Sequence, residues 1–326
     1  MKKKTFIACQ MSALLLLAAA GTSIAQQDYP NRPINIVVGA APGGPTDIIA
    51  RTLAQDLTTS LGQSVVVNNK PGANSLIATQ EVARANPDGY TFLLAYNAHV
   101  VNTLLMKSAR YDALKDFIPV SLAVTLPMAV IAPANSTAKS VTDIVKEAGK
   151  PDGVTYASSG NGSAPHLAGA LLQTHTNTRM IHVPFKGNAL ALTEIMASRI
   201  QFMFYPMVGI NKYVADNRVK MIGVTTAKRH PEYPAVPTMA ELGFPGFEQT
   251  SPWIGLLAPA GTPAAIVAKV DAAVQAALSR AQTRDQLAVN GALPAYRNST
   301  EFRSFLTQDI ERWTKVIAAA GIMPND

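Results

Sequence analysis

The chain has 326 residues, 48% hydrophobic and only 15% charged, which excludes an intrinsically disordered polymer. Its single cysteine excludes a disulfide-stapled scaffold and any multi-cysteine zinc or iron–sulfur site. The length suggests two domains, and the formal charge of +7 raises the question of nucleic-acid binding.

The N-terminus resolves that question. Met1-Lys2-Lys3-Lys4 is basic, the stretch after it is densest in apolar residues at Ala13 to Ala20, and Gly21-Thr22-Ser23-Ile24-Ala25 is small-residue rich. This is the pattern of a secretory signal peptide spanning 1–25, cleaved after Ala25. Its apolar core is shorter than the ~20 residues a spanning helix needs. Removing it takes away three lysines and no acid, lowering the charge from +7 to +4, and it takes Cys9 as well. No basic run interleaved with aromatics remains, so nucleic acid is not an expected partner. No second apolar stretch of ~18 residues follows, so the mature protein is expected to be soluble rather than membrane-embedded.

The mature chain then alternates strand, loop and helix. Ile34 to Val38 is a β-rich run, and Gly39-Ala40-Ala41-Pro42-Gly43-Gly44-Pro45 is a turn-rich loop. Ile49, Leu53, Leu57 and Leu61 recur every four residues and predict a helix, with Thr46 or Asp47 as N-cap or first-turn residue and Gly62 just past its end. Val65-Val66-Val67 reads as a strand, Ser75 to Ala85 as a helix and Tyr90 to Tyr96 as a strand. This order predicts an α/β domain with a largely parallel sheet. Ile118 to Ala132 is too long for one ordinary strand and is broken by Pro127, as expected of a segment crossing between two domains.

The pattern restarts after the crossing. Val141 to Ala148 reads as a helix, Val154 to Ala157 as a strand, and Ser158-Ser159-Gly160-Asn161-Gly162-Ser163 as a small-residue loop before a helix marked by Leu167, Leu171 and Leu172. Further strands are expected at Met180 to Val183, Ile200 to Phe204, Val219 to Val224 and Trp253 to Ala258. Helices are expected at Leu190 to Met196, Ile210 to Asp216, Pro263 to Arg280, Arg284 to Val289 and Thr300 to Ala320.

The two glycine loops echo one another. Each runs from a strand into a helix start, where unpaired backbone N–H groups carry a partial positive charge and attract carboxylate or phosphate without lysine or arginine. Together they could hold the two ends of a small diacid across a cleft; the plainer alternative is a pair of ordinary βα turns. A nucleotide reading is weaker. Gly160-Asn161-Gly162 lacks the third glycine of a dinucleotide fingerprint, and no phosphate-binding Gly-Lys-Ser/Thr loop exists. Neither a G-x-S-x-G elbow nor an H-E-x-x-H zinc helix is present, and none of the five histidines forms a close metal-ligand pair. Asp47, Ser163 and His166 are the right residue types for a triad; the simpler reading is that Asp47 and His166 orient their loops by hydrogen bonds.

Tyr29-Pro30-Asn31-Arg32-Pro33-Ile34 and Pro42-Gly43-Gly44-Pro45-Thr46-Asp47-Ile48-Ile49-Ala50-Arg51 resemble the substrate-binding receptors of tripartite tricarboxylate transporters, the Bug family. Val67 to Ala73, Asn86 to Thr91, Lys115-Asp116-Phe117, Ser158 to Ser163 with His166-Leu167, and Val183 to Gly187 continue the resemblance through the mature chain. It implies an α/β type II periplasmic binding protein fold, each lobe a mixed, largely parallel sheet flanked by helices, with residues 26–126 plus 248–326 in the first lobe and 127–247 in the second. It implies a monomeric, cofactor-free, non-enzymatic periplasmic receptor for a small carboxylate, which docks on membrane permease subunits. Carried over, the site comprises Ala40, Ala41, Pro42, Gly43, Gly44, Pro45, Thr46 and Asp47 from the first loop, and Ser158, Ser159, Gly160, Asn161, Gly162 and Ser163 from the second. His166 stands behind the second loop, and Tyr96, Asn97 and Ala98 line one wall.

Two departures bear on the ligand. Tyr96 stands where many members have a small residue, and Tyr205 where many have Asp, a loss that disfavours an amino acid. If both rings face the cleft, an aromatic dicarboxylate such as terephthalate fits; if one or both pack in the core, an aliphatic di- or tricarboxylate fits better. The rivals to a transport receptor are an exported sensor docking on a membrane kinase and an exported hydrolase using Ser163 and His166.

Overall fold

A computed structural model of the chain describes residues 29–185 and 187–324. The signal-peptide expectation, residues 1–25, lies outside the described residues. Two open sheets form the architecture. The first has strand order β11-β4-β10-β3-β1-β2, from β1 (Ile34–Val38), β2 (Val65–Asn69), β3 (Thr91–Tyr96), β4 (Phe117–Thr125), β10 (Trp253–Pro259) and β11 (Leu293–Arg297). The second has order β7-β6-β8-β5-β9, from β5 (Met128–Pro133), β6 (Val154–Ser158), β7 (Met180–Pro184), β8 (Phe202–Pro206) and β9 (Val219–Val224).

Both sheets are mixed. β1 is parallel to β2 and β3, and β6 to β7 and β8, as expected of strands joined through helices. The strands next to the crossings are antiparallel: β10 to β3 and β4, and β5 to β8 and β9. The long segment around Pro127 is two strands, β4 and β5, one in each sheet, because proline cannot donate to a ladder and breaks the run. β10 brings the chain back, so the C-terminal helices pack on the first sheet.

The two crossings are pinned to each other. The Leu126 N–H donates to the Pro252 carbonyl at 2.7 Å, the Thr225 N–H to the Met128 carbonyl at 2.8 Å, and the Met128 N–H to the Thr225 hydroxyl at 3.0 Å. Thr225 and Ser251 are linked through their hydroxyls at 3.1 Å. One apolar cluster runs through both sheets, joining Leu93, Phe117 and Trp253 of the first to Val130, Tyr156 and Phe202 of the second.

Three local readings change. The first helix is Pro45–Leu61 with Gly44 as N-cap, so Thr46 and Asp47 are first-turn residues, two and three positions past the cap, and neither is the cap itself. The last helix is Ser299–Ala319, opened by a capping box between Asn298 and Glu301 instead of by Thr300. The Ala98–Leu105 helix and β11 carry no sequence signal: the helix is buried on nearly every side, and β11 contains a proline.

The C-terminal helix is tied to the crossing by a buried ion pair. Asp309 is fully buried, pairs with Arg312, and accepts from the Trp253 indole N–H at 3.1 Å. Arg312 also donates to the Gln249 side chain at 3.1 Å. Burial raises the Asp309 pKa to about 6, although Arg312 and Trp253 pull it down. Asp309→Ala leaves the arginine, only 17% exposed, without its counter-ion. The expected cost is about 3 kcal/mol of unfolding free energy, the low end for breaking a buried pair, measured by urea titration.

Candidate functional site

The ends of β1 and β6 place two equivalent loops face to face. In the first, Gly44 caps the Pro45–Leu61 helix; in the second, Ser163 caps the Ala164–Thr176 helix. Neither cap residue makes a side-chain hydrogen bond to its helix. The residue before each cap is a glycine in the left-handed region, Gly43 at φ 79° and Gly162 at φ 73°. Each of these glycines turns its N–H inward onto a side chain four residues on. The Gly43 N–H donates to Asp47 Oδ2 at 2.9 Å, and the Gly162 N–H to His166 Nδ1 at 3.0 Å.

This arrangement assigns Asp47 and His166. Asp47 also accepts from Arg51 Nε at 3.0 Å and from Asn69 Nδ2 at 2.9 Å. Burial pushes its pKa up, but the bonds from Arg51, Gly43 and Asn69 outweigh that and hold the carboxyl below its usual value. His166 stacks on His182 of β7, with ring centres 3.9 Å apart. Burial lowers its pKa to about 4, and burial together with His166 lowers that of His182 to about 3. Nε2 of His182 lies 2.6 Å from the Ser158 hydroxyl, which accepts from the Gly160 N–H at 3.0 Å. Ser158, His182, His166 and Gly162 thus support the second loop from behind.

The triad is not assembled. The Ser163 hydroxyl donates to the Gly160 carbonyl at 2.6 Å, His166 Nδ1 is occupied by Gly162, and neither Asp47 oxygen bonds a histidine. The hydrolase reading therefore loses its nucleophile–base contact. Among the described residues, no group of three or more His, Cys, Asp and Glu is placed to hold a metal ion.

Between the loops lies a cavity of about 340 Å³. Of the residues expected at the site, Ala40, Thr46, Tyr96, Asn97, Ser159 and Ser163 line it. Ala41, Pro42 and Gly43 are exposed at the first loop's outer turn, while Gly44 and Pro45 start the helix. Asp47, Ala98, Ser158, Gly162 and His166 are buried behind the lining, and Gly160 and Asn161 form the outer turn of the second loop. Tyr205 is a correction: it is 9% exposed and packs with Met203, Ile131 and Ala129 inside the second lobe. Strand alternation explains it, because β8 turns Met203 and Tyr205 to one side and Phe202 and Phe204 to the other.

Sequence reasoning missed several lining residues. Ala164 and Pro165 start the second helix, Gly187 and Asn188 start the Asn188–Met196 helix, and Asn74 lies in the loop after β2. Leu126, Pro252 and Ile254 come from the two crossing segments, and Pro206 ends β8. Pro127 pointed to a crossing, but nothing in the sequence showed that the crossing floors the cavity. No lining residue among those described is Lys, Arg, Asp or Glu. The polarity available to a ligand is therefore that of backbone N–H groups, amides and hydroxyls.

Two α/β lobes joined by crossing strands, with an uncharged cleft between uncapped helix N-termini, define a two-lobed ligand-binding protein. A family model for the tripartite tricarboxylate transporter family receptor matches residues 49–322. Protein BugT of Bordetella pertussis (strain Tohama I) is 32% identical over 312 residues, 94% of this chain and 95% of that protein. The structure of Rpa4515 of R. palustris with adipate superposes with a TM-score of 0.81 at 33% identity, over 91% of this chain and 100% of that one. MatC of Rhodopseudomonas palustris with bound malate gives 0.77 at 32% identity, over 89% and 100%. The chain belongs to the tripartite tricarboxylate transporter receptor family, a family of substrate-binding receptors and not of enzymes.

The stacked histidines set a pH dependence. Their folded pKa values, about 4 and about 3, lie below the ordinary 6.5, so the unfolded chain takes up protons first as pH falls. Their contribution to stability is complete above pH 6.5 and declines as pH falls from there toward 4. Urea midpoints are expected to fall steadily across this interval. A flat profile from pH 7 to pH 4.5 would show that the pair does not titrate as a buried neutral unit.

Proposed function

We propose that the protein is a periplasmic receptor that captures a small aliphatic di- or tricarboxylate in the cleft and presents it to the membrane permease subunits of a tripartite tricarboxylate transporter. The observation that carries this reading is the pair of uncapped helix N-termini at an uncharged cleft. Thr46 and Ala164, in the first turns of these helices, line the cavity, and their N–H groups have no hydrogen-bond partner among the described residues. Two such termini are suited to two carboxylates, one from each lobe. The adipate and malate of the two structural neighbours agree with this chemistry.

Capture from both walls couples binding to lobe movement. A ligand that touches both loops favours the closed arrangement by its differential affinity for it, with hinge motion about the Leu126–Met128 and Thr250–Trp253 crossings. The lobes on this reading are residues 26–126 plus 248–326, and 127–247. The protein acts as a monomer, exported by its N-terminal segment; among the described residues no helix is long and apolar enough to cross a membrane. With Tyr205 turned into the core, Tyr96 is the sole tyrosine among the lining residues, which favours aliphatic over aromatic ligands.

Calorimetry on residues 26–326 with adipate, malate, citrate and terephthalate tests this reading. At least one aliphatic acid is expected to bind, and more tightly than terephthalate. Thr46→Asp places a carboxylate at the first helix terminus and is expected to weaken that binding at least ten-fold, about 1.4 kcal/mol. Unchanged affinity in this variant would remove the first loop from the site.

A further inference from the structure

The two lobes also meet away from the ligand cavity. Gly291 lies in the turn between the Ala281–Val289 helix and β11 of the first lobe, with φ of 65°. A Cβ added there would sit 2.8 Å from the Val208 nitrogen and 3.0 Å from the Met207 carbonyl carbon, both backbone atoms of the second lobe. Only glycine lets the two backbones approach this closely. The contact continues through the Val208 side chain. The apolar cluster that holds Ile36, Leu53, Val124 and Ala292 is otherwise built from the first lobe, and Val208 is the one residue of 127–247 packed against it among the described residues. Beside this contact a crevice of about 220 Å³ separates Gly209, Asn211 and His230 from Ala288, Val289 and Gly291.

Topology puts the contact on the far flank of the crossings from the glycine loops. In the first sheet β4 and β10 make the crossings. β3 and β1, which lead to Tyr96 and the first glycine loop, lie on one side of them, and β11, which Gly291 precedes, lies on the other. In the second sheet β6, which leads to the second glycine loop, lies on the β8 side of β5. The chain leaving β8 passes the crossing, where the Met207 N–H donates to the Pro127 carbonyl at 2.9 Å. It then reaches the Asn211–Ala215 helix, which packs on β9 beyond β5. Rotation about the crossings that brings the glycine loops together therefore draws Val208 and Gly291 apart, and rotation that parts the loops presses them together.

We propose that the Val208–Gly291 contact is an opening stop, which limits how far the cleft gapes and so sets the share of molecules close to the closed arrangement. This inference rests on the lobes and hinge of the receptor reading above and adds the residues that fix the open limit. A wedge at the contact disfavours the open arrangement and leaves the closed one untouched. It raises the fraction of molecules poised to grip, and apparent affinity rises with that fraction. Damage to the fold acts in the opposite direction, so the sign of the change separates the two.

The test compares the wild type, Gly291→Ala and Gly62→Ala, by calorimetry with adipate and malate and by small-angle X-ray scattering without ligand. Gly62 has φ of 71° and nothing within 4 Å of an added Cβ, so its alanine brings similar backbone strain without a wedge. Gly291→Ala is expected to tighten binding at least three-fold and to lower the radius of gyration, while Gly62→Ala does neither. Val208→Ala removes packing that holds the open arrangement and is expected to act in the same direction; it takes the place of Gly291→Ala should that variant not fold. Unchanged or weaker binding in the folded variant overturns the opening stop, and weaker binding would place the contact on the closing side of the hinge. Equal tightening in Gly62→Ala overturns it as well, since backbone strain alone would then suffice. If the wild type binds neither acid, the carboxylate reading fails, and the scattering decides this inference by itself: a radius unchanged from wild type overturns it.

Discussion

In both loops a glycine N–H that an ordinary helix start would leave facing outward is turned inward onto a buried side chain. Asp47 holds Gly43, and His166 holds Gly162, each from the third residue of its helix. The consequence is electrostatic as well as geometric. The first N–H groups of each helix stay without side-chain caps, and the chain meets a ligand there with backbone alone. Any lysine or arginine placed at the cleft would add attraction, but it would also need desolvation when the lobes close. Helix dipoles and fixed N–H groups reduce that cost because they carry no full charge and are already oriented in the fold.

The two supports differ chemically in a consistent way. The first loop uses an ionised carboxylate, kept low in pKa by Arg51, Asn69 and Gly43 against the opposing effect of burial. The second uses a neutral imidazole stacked on another neutral imidazole, in a part of the lobe where a charge would have no partner. Both solutions give the glycine N–H an acceptor without leaving an uncompensated charge. Behind them, the crossing strands are knitted together through Thr225, Ser251 and the Pro252 carbonyl, so the floor of the cleft and its hinge are the same piece of structure.

Much of this was legible in the sequence, and the limits have physical causes. The glycine loops, the break at Pro127 and the returning strand at Trp253 are local signals, and local signals survive without a structure. The family motifs carried the two-lobed fold and the cleft. Tyr205 was misplaced because the face a strand residue takes depends on register, which the run of three apolar residues before it does not reveal. His182 was missed for the same reason: its place beside His166 follows from the pairing of β6 with β7. The Ala73–Ser75 turn was missed because Pro71-Gly72 marks only its start, while the three left-handed residues that follow are not glycines. Asn188 drew no reading from the sequence, since its importance lies in an unpaired buried oxygen.

The central claim is that carboxylates are held by backbone at two helix termini, one from each lobe. A crystal structure of the mature chain with a bound dicarboxylate tests it most directly. The account predicts one carboxylate within hydrogen-bond distance of the N–H groups at Thr46 and Asp47, and the other at Ala164 and His166, with no lysine or arginine side chain touching either. A dicarboxylate gripped by a basic side chain, or seated outside this cleft, would contradict it.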